Sequence, residues 1–491
     1  MTIEAPIRPK ARAVRGFQDR RAETLAAEQR IVSAIAEVCE SFGFGRLETP
    51  AFEYADALGK FLPDADRPNA GVFALQDDDE QWLALRYDLT APLARFTAEN
   101  WPSLPKPFRR YAFGTVWRDE KPGPGRFRQF VQFDADTVGS ARPEADAEII
   151  ALAVAGYVAA GLAPGAFVVK INNRKLLNGL LASQGVTSEA QRLVVLRAVD
   201  KLDRLGPEGV ADLLGAGRLD ESGAFTRGAG LARAAIDGVL AFVAARGDSR
   251  AATLANLAPV VGGSAEGAEG LSELDRIGAT LASLGVDEAG AEFDPAVVRG
   301  LEYYTGPVFE AELNAPITDE TGQTVRFGSV GGGGRYDDLV ARFTGERTPA
   351  TGFAFGVSRL VAALAAGSGA AVARARGPVV VIAFDQTRMA DYFAAAAELR
   401  AAGVAAEVYL GESGMRAQMK YADRRASPAA VIMGEDEIAA GQVTVKDLDL
   451  GRELASGVRD NRAWREDRPG QVTAPRGELV AVVRRILDAG A

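Results

Sequence analysis

Across residues 22–42, Leu25, Ile31, Ile35, Val38 and Phe42 recur at helical spacing with Glu28 among them, and Gly43 follows as a C-cap, predicting an amphipathic helix. Cys39 falls inside it and, with no partner thiol, is expected to be packed. Residues 83–90 (LALRYDLT) read as a strand running into Pro92. Residues 108–117 and 127–138 read as two strands around the Lys-Pro-Gly-Pro-Gly turn at 121–125, a β-hairpin with a long basic loop. A short strand is expected at 167–171. Residues 176–292 turn Ala-, Leu-, Gly- and Asp-rich and read as an inserted helical module. Strand text resumes at 308–313 and 324–330, and the four glycines at 331–334 read as a turn before a helix from Asp337. A strand at 351–357 leads into a helix from Ser358.

Residues 366–377 (AGSGAAVARARG) have the texture of a linker. Beyond it, strands at 379–383, 406–410 and 430–433 alternate with helices at 390–401 and 415–425, and a last helix is expected at 479–487. Strand–helix–strand crossovers imply a parallel, helix-covered sheet, whereas hairpins imply an antiparallel one. Two sheet types predict two domains: residues 1–365, carrying the helical insertion at 176–292, and residues 378–491.

Composition then removes reaction classes. The 491 residues contain no histidine and one cysteine. A Ser-His-Asp triad, a histidine general base, a CxxC redox pair and a Cys/His zinc site are all excluded. Chemistry must rest on fixed charge and positioning, or on a proton carrier with a shifted pKa. Net charge is −10, from 56 basic and 66 acidic residues, which argues against blanket nucleic-acid binding. Locally the balance inverts, because residues 106–128 carry seven basic side chains against two acidic ones. No run of 18 apolar residues occurs and the first residues lack the apolar core of a secretory signal, so a cytoplasmic protein without membrane contact is expected. There is no GxxxxGK[ST] loop, which leaves arginines as the phosphate handlers.

Arginine, glycine and aromatic residues concentrate at 86–136 and 299–359, and their order carries a resemblance. Gly43-Phe44-x-x-Leu47-x-x-Pro50 resembles motif 1 of the class II aminoacyl-tRNA synthetases, found at the dimer interface. Trp117-Arg118-Asp119-Glu120 with Arg126-Phe127-Arg128-Gln129-Phe130 resembles motif 2. Gly352-Phe353-Ala354-Phe355-Gly356-Val357-Ser358-Arg359-Leu360 resembles motif 3. Arg299-Gly300-Leu301-Glu302-Tyr303-Tyr304-Thr305-Gly306 and Gly333-Gly334-Arg335-Tyr336-Asp337 resemble the two signatures of the histidyl-tRNA synthetase family, and Arg86-Tyr87-Asp88-Leu89-Thr90 its amino-acid-binding strand. Lys420-Tyr421-Ala422-Asp423 and Gly434-Glu435-Asp436-Glu437 resemble its anticodon-binding domain. The resemblance implies a class II α+β catalytic domain, a mixed and mostly antiparallel sheet flanked by helices, followed by an α/β anticodon-binding domain.

It also implies a homodimer that uses ATP with Mg2+, L-histidine and tRNA(His). In that family's scheme Arg118 and Arg299 contact the α-phosphate and the amino-acid carboxylate, with Arg299 the main electrostatic catalyst. Phe130 and Arg359 sandwich the adenine, Arg126 holds the distal phosphates, and Glu120 reaches the adenine or a metal. Asp136 and Tyr303 or Tyr304 face the imidazole, while Asp88, Leu89, Thr90 and Gln132 bind the amino group and carboxylate. Lys121, Arg416, Lys420, Arg424 and Arg425 are the tRNA contacts. One departure concerns the motif 2 loop, where the position of a glutamine used to read an extra 5′ guanosine is Gly123, which has no side-chain donor. Weak dependence on that guanosine is expected. A non-catalytic paralogue regulating ATP phosphoribosyltransferase is the alternative, but such paralogues typically lack the anticodon domain, whereas here 114 residues follow position 377.

Overall fold

The computed structural model describes residues 10–61, 71–121, 127–219, 223–261, 263–298, 304–314, 317–318, 324–325, 328–367, 376–455 and 470–489. Arg126, Gly123, Arg299 and Tyr303 lie outside the described residues. The chain divides into two compact units, Met1–Val372 and Ala373–Ala491.

The first unit is built on an eight-stranded sheet. In chain order its strands are Gly45–Arg46 (β1), Phe108–Trp117 (β2), Gln129–Val138 (β3), Phe167–Asn173 (β4), Ala291–Phe293 (β5), Pro307–Leu313 (β6), Ser329–Arg335 (β7) and Ala350–Phe355 (β8). Their spatial order is β1-β2-β3-β8-β7-β6-β4-β5, antiparallel through the centre with one parallel pair at each edge. One face packs against helices Ala22–Ser41, Pro143–Ala159 and Val357–Gly367. Aromatic rings fill that layer, with Tyr111 and Phe133 stacked at 5.5 Å and Tyr157 and Phe355 at 4.9 Å. Cys39 is fully buried there, and burial pushes its thiol up to about 12, as far from a reactive thiolate as the lone cysteine was expected to be.

Four expectations are corrected. First, the strand over 83–90 is only Trp82–Leu85, and Thr90 opens helix Thr90–Asn100. Asp88 decides this, since its Oδ1 accepts the backbone N–H groups of Thr90 and Ala91 at 3.1 and 2.9 Å. Pro92 then sits in the first turn, where a missing N–H costs nothing. Second, the four glycines are not a turn but the middle of β7. A Cβ on Gly331 would lie 2.2 Å from the Tyr157 hydroxyl, and one on Gly333 2.0 Å from the Gly352 carbonyl, so close strand and helix approach selects glycine there. The expected helix from Asp337 is reduced to Ala341–Thr344.

Third, the helical module, carried within the first domain as expected, also holds strands that were not expected. Its helices share one apolar core with the sheet, and its last strand, β5, pairs in parallel with β4. It also contains a hairpin of Gly217–Leu219 and Phe225–Arg227. Fourth, the second unit's sheet is only half parallel. Its order is Ala406–Val408, Val379–Val381, Ala429–Ile432, Gln442–Asp447, Gln471–Pro475, and the last two strands run antiparallel to their neighbours.

Candidate active site

Residues directly opposite in an antiparallel pair project to the same face. The β2–β3 register sets Arg110 opposite Asp136, Ala112 opposite Asp134, Gly114 opposite Gln132 and Val116 opposite Phe130. On β8, Gly352 faces Asp136 and Ala354 faces Asp134, and on β7, Gly334 and Gly332 continue those rows. The face opposite those three helices therefore carries a trough, bounded by helix Thr90–Asn100, whose Leu93 and Ala94 pack with Val138, Tyr336 and Ala350 on the same face. The trough's floor is made of small residues, Ala112, Gly114, Ala354, Gly332, Gly334 and Gly352, with Leu89 packed on Ala112 and the Arg86 guanidinium over Gly114, and its functional groups rise from β3 as Phe130, Gln132, Asp134 and Asp136.

At one end lies Asp136, buried, its carboxylate 2.9 Å from Arg110 Nη2 and accepting the hydroxyl of Tyr336. Its carboxylate leans over Gly352, where a Cβ would come within 1.9 Å of Oδ1. The half-buried Tyr304 covers Gly334 beside it. Asp136 thus stands at the end of the trough that holds the signature tyrosines, its Oδ1 taking the Tyr336 hydroxyl while the buried Oδ2 lies beside Arg110 without accepting a hydrogen bond among the described residues. Burial pushes its carboxyl upward while Arg110 and the Tyr336 hydroxyl pull it down.

Further along, Gln132 Nε2 donates to Asp134 Oδ1 at 2.9 Å, and Thr90 Oγ1 donates to Asp134 Oδ2 at 3.3 Å. Asp88 sits beside Thr90 as the helix cap, half-buried, its carboxyl raised by burial against the pull of the backbone N–H of Ala91. Leu89 does not face a ligand with its side chain. It packs on Ala112, Val116 and Phe130, and its carbonyl accepts from Arg110 Nη2 at 2.9 Å.

Arg118 enters at the far end. Its Nε donates to the Tyr87 carbonyl at 3.1 Å and its guanidinium lies 5.1 Å from the Phe130 ring centroid. Among the described residues its two terminal nitrogens make no hydrogen bond, which leaves a fork for an anion. Arg359 anchors one terminal nitrogen on the Ser329 carbonyl at 2.8 Å, so the guanidinium resting on Phe130 is that of Arg118. Glu120 and Lys121 are exposed at the start of the motif 2 loop. Asp134, Arg110 and Tyr336 were not foreseen as site residues. Alternation along β3 would have found Asp134, since Gln132 and Asp136 flank it on the same face.

In the second unit Arg416, Lys420 and Arg424 share an exposed stripe of helix Met415–Arg424. Arg425 is committed elsewhere, with Nε and Nη2 on the Glu407 carboxylate at 3.0 and 3.2 Å. A cavity of about 420 Å³ opens at the carboxyl ends of Val379–Val381 and Ala406–Val408, lined by Phe384, Asp385, Tyr409, Met415 and Gln418. Crevices at such strand ends are where open α/β sheets bind ligands.

Known proteins align with both units. Residues 16–360 match the family model described as histidyl-tRNA synthetase, and residues 378–485 match an anticodon binding domain. The chain is 68% identical over 481 residues to a histidine–tRNA ligase of Caulobacter vibrioides, covering 98% of this chain and 97% of that protein. It is 56% identical to a histidine–tRNA ligase of Brucella suis over 487 residues, again covering 98% and 97%. The crystal structure of histidyl-tRNA synthetase from Nostoc sp. PCC 7120 superposes with a TM-score of 0.72 at 28% identity, covering 97% of this chain and all of that one. A Bacillus halodurans protein described as an ATP phosphoribosyltransferase regulatory subunit/histidyl-tRNA synthetase superposes at 0.66 with 25% identity over 84% of this chain and 97% of its own. With the family model matched over most of its length and near relatives matched end to end, the chain belongs to the histidyl-tRNA synthetase family.

Proposed function

We propose that this aminoacyl-tRNA ligase forms histidyl-adenylate from L-histidine and ATP in the trough and then esterifies the tRNA(His) terminus. The observation that carries the reading is the ordering of the trough. An imidazole end holds Asp136, Tyr304 and Tyr336, an amino-acid end holds Asp88, Thr90 and Gln132, and an anion end holds Arg118 over Phe130. The nucleophile of the first step is the substrate carboxylate, ionised at neutral pH, so no general base is required. What remains is alignment with the α-phosphate and stabilisation of phosphoryl charge. Arg118 and Arg299 supply that charge, Arg126 holds the distal phosphates, and Arg359 with Phe130 brackets the adenine. Magnesium enters as part of the ATP substrate. In the second step the tRNA hydroxyl proton passes to a phosphate oxygen of the adenylate.

Histidine-dependent pyrophosphate exchange followed by charging of total tRNA tests the activity. In the same assay Asp136→Ala should lose most histidine activation, because it leaves Arg110 buried without its counter-ion and removes the acceptor at the imidazole end. Wild-type exchange by that variant would refute the placement.

Anticodon contacts belong to Arg416, Lys420 and Arg424, beside the cavity of the second unit. The reaction belongs in the cytoplasm, and among the described residues no helix is long and apolar enough to cross a membrane. A homodimer fits the small sheet of Phe52–Tyr54, Trp82–Leu85 and Ala74–Gln76. Its inner face buries Glu53 against Arg95, while Phe52, Tyr54 and Leu75 stand 44%, 58% and 46% exposed on the outer one. A Phe52→Asp/Tyr54→Asp protein should run as a monomer by light scattering, and an unchanged mass would place the interface elsewhere.

A further inference from the structure

We propose that Asp134 is a positioning residue that turns the acceptor atoms of Gln132 and Thr90 toward the α-ammonium group of the substrate. This rests on the amino-acid end of the trough being where histidine binds, as argued above. Asp134 is 1% exposed and Gln132 5%, while Thr90 is half-buried, so Asp134 acts through its neighbours. An ionised carboxylate only accepts hydrogen bonds. Asp134 takes one N–H from the Gln132 amide at 2.9 Å and the single hydroxyl hydrogen of Thr90 at 3.3 Å. With its nitrogen committed, the Gln132 amide keeps its oxygen on the opposite edge. With its proton committed, Thr90 keeps only lone pairs. Two residues that can either donate or accept are thereby fixed as acceptors, which suits a ligand group that only donates.

Charge points the same way. Asp136 is neutralised by Arg110 at 2.9 Å, but the hydrogen-bond partners of Asp134 are neutral. The nearby Arg86 spends Nε on the Thr115 carbonyl at 3.0 Å and Nη1 on the Thr49 carbonyl at 2.7 Å. Burial and then the charge of Asp136 push the Asp134 carboxyl up, while Arg110 pulls it down. A cation seated on Gln132 and Thr90 relieves that cost, and a substrate ammonium is such a cation.

Two histidine analogues separate this role from simple support of the fold. Histidinol keeps the imidazole and the ammonium but lacks the carboxylate. 3-(Imidazol-4-yl)propionate keeps the imidazole and the carboxylate but lacks the ammonium. Each is titrated as an inhibitor of pyrophosphate exchange by the full-length wild type and Asp134→Asn, whose amide can donate to Gln132 and Thr90 and so reverse their polarity. Histidinol inhibition should weaken by about tenfold or more, the factor carried by a charge-assisted hydrogen bond. Inhibition by the propionate and the KM for ATP should stay within about twofold, well inside RT per site. Equal weakening of both analogues, or of neither, overturns the proposal. If Asp134→Asn does not fold, Thr90→Val decides, since it removes one of the two acceptors. It should spare the propionate and weaken histidinol, and parallel losses would overturn the proposal. A wild type without histidine-dependent exchange would sink the functional reading itself, whereas an active wild type with an unselective Asp134→Asn sinks only this inference.

Discussion

Arg118→Ala should lower the turnover of adenylate formation by about 10²–10³-fold, roughly 3–4 kcal/mol of transition-state stabilisation, with a much smaller change in the KM for histidine. The guanidinium is held at its inner edge by the Tyr87 carbonyl and at its face by Phe130, so its direction is set before any ligand arrives. Its terminal nitrogens make no hydrogen bond among the described residues, and phosphoryl charge that grows during the reaction meets a fixed fork that needs no reorganisation. Arg118→Lys should recover little, because an ammonium offers a point charge in place of two parallel donors. Steady-state pyrophosphate exchange with histidine and ATP varied separately gives both constants. A raised KM at unchanged turnover would make Arg118 a ground-state binding group and shift the catalytic load to Arg299 alone.

Gly352→Ala should damage the site as severely through sterics. The new methyl would lie 1.9 Å from Asp136 Oδ1, 2.6 Å from its Cγ and 2.9 Å from the Ala135 carbonyl. Either the carboxylate leaves Arg110 and Tyr336, or strands β3 and β8 part. The first breaks a buried ion pair and the second costs about 1–3 kcal/mol of overpacking strain. Gly332→Ala is the control, for its Cβ would meet only the Phe309 carbonyl, at 3.1 Å. We expect a lowered melting temperature and a histidine KM raised more than tenfold (about 1.4 kcal/mol or more) for Gly352→Ala. The control should narrow the trough with little loss of stability. Wild-type histidine KM in Gly352→Ala, measured beside its thermal melt, would show that Asp136 does not serve the ligand.

What the sequence made legible is what local pattern determines. The ten residues at 108–117, set against the Lys-Pro-Gly-Pro-Gly loop, form the strand expected of them, and the helix at 22–41 ends one residue short of its expected limit at a glycine with φ of +81°. Misreadings arose where a distant partner decides. The glycine run looks like a turn because glycine has poor strand propensity, and only Tyr157 and Gly352, far along the chain, reveal why nothing larger fits. Asp88 looks like a strand residue until its carboxylate is seen capping the next helix. Val443 and Val445 alternate inward on an unforeseen strand of the second unit, but six residues were too few to read without their neighbours. The trough floor was invisible for a simpler reason. Its residues are defined by side chains they lack, whereas the resemblance was carried by side chains that act.

That floor has a bearing on resistance to inhibitors. A compound in the trough would press against main chain at Gly332 and Ala354, which point mutation cannot remove, and against the Asp136 and Tyr304 side chains that overlie Gly352 and Gly334. The obvious escape is a larger side chain that evicts the compound. At Gly352 it would strike Asp136, and at Gly334 it would meet the Pro307 carbonyl at 2.6 Å and the Tyr304 ring at 2.9 Å. Escape is left mainly to Gly332 and Ala354, a narrow target for selection. Compounds whose bulk lies against Asp136 and Tyr304, the side chains that cover Gly352 and Gly334, should therefore retain potency longest under passage.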